Sequence, residues 1–264
     1  VSKGAGDKAL SSIRYPNMEA VPEALRPLAD VFSRQMLYSD APDHTRLRNL
    51  MTQAFKPRAV EMLRQQIERS TNNLIANVRH TGRIDIVADF AYPLPVAAVC
   101  DLLGIQPHYR ELIKQWAAGI AVVMSNPLPT PAAVQRGVDS VTQMLDFLDT
   151  LVAQQLQEPT SPVLQGMLGD PDPQITHDEL LANLVLLMIA GHETTTHLIS
   201  NSMLALLQHP EAAHQLQQQP ELMRPAIEEL LRYDSPVQLL LRRAKENMTL
   251  GGHNIRTGET VLLV

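Results

Sequence analysis

"THDELLANLVLLMIAGHETTTHLISNSMLALLQ" (176–208) decides how the rest of the chain is read. Thr176 followed three residues later by Glu179 is a capping box, in which each side chain satisfies a backbone N–H that a helix start leaves free. Apolar residues then recur at helical spacing as far as Gln208, just before His209 and Pro210. The spacing predicts one helix of about 32 residues, roughly 48 Å at about 1.5 Å per residue. A helix of that length in a globular protein runs through its middle. Its centre is oddly made, because Gly191 and three successive threonines, Thr194 to Thr196, are all poor helix formers.

Two readings of that centre stand side by side. Gly191 leaves room for a flat group, or a neighbouring helix, to approach the backbone. Glu193 and Thr194 point about 100° apart, so a carboxylate and a hydroxyl can reach different surroundings and pass protons between them. Thr194 can also bond the carbonyl four residues back, that of Ala190, and bend the helix. Periodicity alone favours close packing over a proton relay. His192, Glu193 and His197 suggest a zinc-protease helix, but that motif needs histidines four residues apart. Here they are five apart, about 140° around the helix, so they cannot share one ion.

Outward from the long helix the pattern stays mainly helical, punctuated by 19 prolines. "DHTRLRNLMTQAF" (43–55) places Leu47, Leu50, Met51, Ala54 and Phe55 on one face. Helices are expected over 58–80, closed by Gly82; over 94–103, stopped by Gly104; and over 108–124, 131–157 and 221–233. Residues 1–18 read as irregular, and "RIDIV" (83–87) as a short strand. After Pro236, "VQLLLRRA", "NMTLGGHNI" and "GETVLLV" read as short strands joined by glycine turns.

Three further groups carry possible chemistry. His44 and Arg48 lie one turn apart on the same helix face, where two donors suit an anionic group such as a carboxylate, or merely meet solvent. Arg46 lies off that face and is expected in solvent. Glu229 and Arg232 are an i, i+3 pair, either a surface ion pair or a buried one that fixes geometry. Cys100, the only cysteine, sits in an apolar helical run and reads as a small buried side chain.

The composition sets limits. The chain has 264 residues, 45% of them hydrophobic, and a formal net charge of −6. No basic run stands out, so nucleic acid is not an expected partner. The longest apolar stretch, Leu180 to Ala190, is about half a membrane span and contains Asn183. With one cysteine and no signal-peptide pattern, cytoplasmic residence is the expectation. The chain opens on Val1 and closes on "TVLLV" (260–264), which reads as a buried strand needing a neighbour on each side. A fragment cut at both ends is expected.

Taken in order, "DAPDHTRLR" (40–48), "LLGIQP" (102–107), "AGHETTT" (190–196), "EELLRY" (228–233), "RRA" (242–244) and "LGG" (250–252) resemble a bacterial cytochrome P450, a heme-thiolate monooxygenase. The resemblance runs from about residue 30 to the end. It implies a single, partial domain with a mainly α fold, a long central helix and a small β region near the C-terminal end. It implies heme against Ala190 and Gly191, dioxygen bound near Thr194 and hydrogen-bonded by it, and protons delivered through Glu193. His44, Arg48 and Arg242 would hold the heme carboxylates, and Glu229 with Arg232 would be structural and buried. Substrate, a small organic molecule, would meet residues 115–135 and the strand after Pro236, with electrons from a ferredoxin-type donor and no membrane involved. The family's axial cysteine lies in a loop well beyond the Glu-x-x-Arg pair, and Cys100 is not it. These 264 residues alone are therefore expected to bind heme weakly or not at all and to be inactive. A heme-free relative acting as a binding or partner protein is the alternative.

Overall fold

The computed structural model describes residues 10–12, 21–55, 57–126, 128–168 and 175–264. In chain order these form β1 (Leu10–Ser12), α1 (Arg26–Ser33), α2 (Asp43–Ala54), α3 (Pro57–Arg79), α4 (Pro93–Leu102), α5 (Arg110–Ser125), α6 (Pro131–Gln157), α7 (Pro162–Leu168), α8 (His177–Gln208), α9 (Pro210–Gln218) and α10 (Met223–Tyr233). The strands β2 (Leu240–Ala244), β3 (Met248–Leu250), β4 (His253–Ile255) and β5 (Thr260–Leu263) follow. Among the described residues the fold is mainly helical with a small antiparallel β region, as the resemblance implied.

Local chemistry explains the boundaries. The capping box of α8 is present in both directions: Glu179 N donates to Thr176 Oγ1 (3.2 Å) and Thr176 N donates to Glu179 Oε2 (2.9 Å). Thr130 caps α6 by accepting from Ala133 N. Prolines occupy the first turns of α4, α6 and α9, where the missing N–H costs nothing and φ is already helical. Beyond α4, Gly104 takes a φ of +70°, which lets Ile105 N donate to Cys100 O (2.8 Å) and close the helix.

The chain clusters into two compact units: one made of Val1–Lys56, Leu112–Leu186 and Leu239–Val264, the other of Pro57–Glu111 and Leu187–Gln238. In the first, α1 packs on α6, and α2 packs on α7. Leu28 and Phe32, Leu47 and Leu50, Met144 and Leu148, and Leu164 and Met167 are buried there, as is the start of α8 from Leu180 to Leu186. A β-carbon added to Gly137 would lie 2.6 Å from Val123 Cγ2, so α5 and α6 cross closely. Trp116 Nε1 donates to Gln143 Oε1 across that crossing (3.1 Å). The sheet order is β1–β2–β5, with Leu10 opposite Ala244 and Leu240 opposite Leu263. In the second unit α3 packs on α4.

Several expectations need correction. "RIDIV" is not a strand: Asp85 accepts from Val87 N and Ala88 N (3.0 Å each), and a wide helical turn begins at Ile86. An aspartate whose side chain caps the following amides offers the backbone an alternative to strand pairing. Within residues 1–18, Leu10–Ser12 is a strand; the rest of that stretch lies outside the described residues. Within "TVLLV", Thr260–Leu263 does form a strand, but among the described residues it pairs only with β2 and is not buried, with Leu262 52% exposed. Phe55 is exposed rather than on the packed face of α2. The short helices α7 and α9 escaped the periodicity because each spans too few turns to show one.

Candidate functional site

The centre of α8 belongs to the second unit. Helix geometry persists without a break from His177 to Gln208, although the hydroxyls turn back onto the backbone. Thr194 Oγ1 donates to Ala190 O (2.9 Å), and Thr195 Oγ1 donates to Gly191 O (3.3 Å). Ala190 is exposed and Thr194 half-exposed one turn further on. The two form an accessible stripe on a helix whose preceding turns are closed. Because its proton goes to Ala190, the Thr194 oxygen presents lone pairs as an acceptor.

The opposite side of the same turns is packed. His192 is buried, its Nδ1 donates to Met188 O (2.6 Å), and Tyr92 meets its ring edge-on at 5.8 Å. A carbonyl cannot donate, so the proton on Nδ1 is fixed by this bond. Burial raises the Tyr92 phenol above its ordinary range, and the charges of Glu193 and then Glu111 add to the effect. Glu193 is half-buried between the open and packed sides. His197 is exposed while His192 is buried, so the two histidines part as their spacing requires. Thr196 is buried, with no partner for its hydroxyl among the described residues.

Gly191 corrects the sequence reading. A β-carbon there would lie 2.7 Å from Val99 Cγ2 of α4. The room that glycine makes is taken by a neighbouring helix, the packing alternative left open above. Ala190, not Gly191, lies on the accessible stripe.

In the first unit, His44 is half-buried and Arg48 exposed, one turn apart on α2. Arg242 is half-buried in β2, opposite Ser12 and Val261, and its Nη1 donates to Leu241 O (2.9 Å). Arg46 is not in solvent. It grips Glu179 with both terminal nitrogens, at 2.5 and 3.1 Å, and the two side chains are only 26% and 18% exposed. The Arg46 hydrogen bonds hold the Glu179 carboxyl below its ordinary range, and Glu179 in turn raises Arg46. Sequence reasoning missed this pairing because it joins residues 133 positions apart.

Glu229 and Arg232 do meet, in a two-pronged fork at 2.6 and 2.8 Å. Both side chains are exposed in this structure, 58% and 70%, against the burial that the resemblance implied. The reason lies in α10, where no described residue is buried and Met223, Ile227 and Leu231 are themselves exposed.

The cytochrome P450 family model matches residues 133–264. The chain is 38% identical to cytochrome P450 CYP107DY1 of Priestia megaterium, over 86% of this chain and 55% of that protein. It is 34% identical to 6-deoxyerythronolide B hydroxylase of Saccharopolyspora erythraea, over 95% of this chain and 61% of that protein. A crystal structure of P450BioI in complex with hexadec-9Z-enoic acid ligated acyl carrier protein superposes with a TM-score of 0.89 at 33% identity, covering 97% of this chain and 66% of that one. The chain belongs to the cytochrome P450 family. It spans between 55% and 61% of the length of the two curated relatives just named.

That family's cofactor is heme, and its fit can be tested on the side chains present. Taken by itself, the accessible stripe of the second unit at Ala190 and Thr194 suits a flat group; taken by itself, the first unit carries on α2 two donors, His44 and Arg48, that suit carboxylates. An axial thiolate is a different matter. Cys100 is fully buried in α4, and burial pushes its thiol up to about 12. Among the described residues no group of three or more His, Cys, Asp or Glu could hold a metal ion. Cys100, the only cysteine of the sequence, is therefore not placed to serve as a thiolate ligand. No described helix is long and apolar enough to cross a membrane.

Proposed function

We propose that these residues form the proton-delivery and carboxylate-holding parts of a monooxygenase that inserts one atom of dioxygen into a small organic substrate. Heme, when bound, supplies the oxygen-activating chemistry. Thr194 offers a hydroxyl on the accessible stripe of α8, with its own proton held by Ala190 O. Glu193, the adjacent carboxylate, takes protons from the partly buried side and hands them to that hydroxyl. Val99 against Gly191 and Tyr92 against His192 keep this turn of α8 from shifting. His44, Arg48 and Arg242 would hold the heme carboxylates by donating hydrogen bonds to them, the two arginines adding their charge. Glu229 and Arg232 are assigned a structural role. The chain is part of a single domain of its family, with substrate meeting residues 115–135 and the strand after Pro236. Electrons come from a ferredoxin-type donor, and the setting is cytoplasmic.

The observation that supports the proposal is the adjacency of Glu193 and Thr194, both half-buried, beside the exposed Ala190 at the turn where the buried run of α8 ends. The test is the absorption spectrum of the protein at the length its gene encodes, reduced and exposed to carbon monoxide. A red-shifted band typical of thiolate-ligated heme is expected. A well-folded protein of that length with no such band would make it a heme-free binding protein instead. The 264 residues alone are expected to hold heme weakly, measured by equilibrium titration with hemin, because Cys100 cannot serve as ligand.

A further inference from the structure

We infer that Glu179 is a positioning residue for the anion clamp on α2, acting through Arg46 to fix the direction in which His44 and Arg48 point. This rests on the reading of those two residues as a carboxylate clamp.

The geometry lies within the first unit. Glu179 does two things at once. Its Oε2 accepts from Thr176 N (2.9 Å), completing the cap of α8, and also from Arg46 Nη1 (3.1 Å), while its Oε1 accepts from Arg46 Nη2 (2.5 Å). One turn along α8, Asn183 holds the segment that leads into α2. Its Oδ1 accepts from Met36 N (2.9 Å), and its Nδ2 donates to Arg34 O (3.2 Å) and Glu179 O (2.7 Å). Arg34 Nη2 also stands 3.7 Å from Asp178 Oδ2. Three residues in the first two turns of α8 thus fasten positions 34, 36 and 46.

Arg46 is two residues from His44 and two from Arg48. Two steps turn a helix by about 200°, so Arg46 points nearly opposite to both. Fastening Arg46 to Glu179 on one side therefore sets where the clamp faces on the other. Leu47, Leu50 and Met51 seat α2 in the core, but apolar packing tolerates small rotations that a two-pronged ionic fork does not. Neither Glu179 nor Arg46 need touch the bound group to govern how well it is held.

The experiment uses the gene-length, heme-loaded protein and follows transfer of heme to excess apomyoglobin. Glu179→Gln keeps an acceptor for Thr176 N and so preserves the cap, yet loses the charge; Arg46→Met removes the other partner. Each is expected to speed heme loss roughly tenfold, the lower end of what outer supporting partners usually contribute, and the double variant no more than either single one. Thr176→Ala, which breaks the cap and leaves the fork, is expected to change the rate less than about twofold, because cap loss acts on helix stability. Amide hydrogen exchange over residues 43–48, read by mass spectrometry, supplies a measurement independent of heme: faster in Glu179→Gln and Arg46→Met, unchanged in Thr176→Ala. Unchanged heme loss in both fork variants, with Arg48→Ala fast, overturns the positioning role alone. Unchanged loss in His44→Ala and Arg48→Ala overturns the clamp itself, and with it both readings.

Discussion

The two halves of α8 are one helix built for different purposes. From Leu180 to Ile189 every residue but Leu187 is buried, and the one polar member, Asn183, has each amide group engaged. From Ala190 to Ser200 only His192 and Thr196 are buried, and hydroxyls replace leucines. The first half spends its side chains on contact. The second keeps one side packed, through Gly191 and His192, and leaves the other open at Ala190 and Thr194. Poor helix formers are tolerated at that centre because the helix continues for several turns on either side of it.

Substitutions sharpen this difference. The largest loss of stability is expected in the first half, from Asn183→Leu. It strands the amide of Met36 and the carbonyl of Arg34 without partners, at about 3 kcal/mol by denaturant titration. A loss below about 1 kcal/mol would mean that water replaces the amide easily. Next comes Gly191→Val on the packed side of the centre, which forces added methyls against Val99 at about 2 kcal/mol. Adding Val99→Ala is expected to recover part of that loss; strict additivity of the two changes would place the clash elsewhere.

A smaller effect separates the two Arg–Glu forks. The folded pKa of Glu179 lies below its unfolded value, so its contribution is full above about pH 4.3 and is lost as pH falls through the folded value. Glu179→Gln is therefore expected to flatten the acid side of the stability profile. Glu229 is also held low by Arg232, so its sign is the same. That pair is fully exposed, however, and its share of the acid slope should vanish in molar salt. A salt-resistant contribution from Glu229 would show the pair to be covered in solution.

How much of this was legible in the sequence follows from where each signal resides. The capping box at Thr176 and Glu179, the full extent of α8 and the glycine stop at Gly104 are local, and periodicity found them. The order of motifs along the chain carried the family. Asn183 stood out as a polar residue in an apolar run, but its partners at 34 and 36 are a matter of tertiary folding. Arg46 was misplaced for the same reason: helical phase says which side of α2 it occupies, not that Glu179 waits there. Gly191 shows the converse. The sequence announced that a side chain had been removed, and only the structure shows that Val99 fills the space.

The centre of α8 is tested most directly by Thr194→Ala in the gene-length enzyme with its electron donor and substrate, counting hydrogen peroxide released per electron pair consumed. Stability should hardly change, since the residue is half-exposed and its bond to Ala190 is local. Peroxide is expected to rise several-fold at the expense of hydroxylated product, because proton delivery fails while electron uptake continues. Coupling equal to the parent protein's would contradict the account and leave Thr194 as a packing residue.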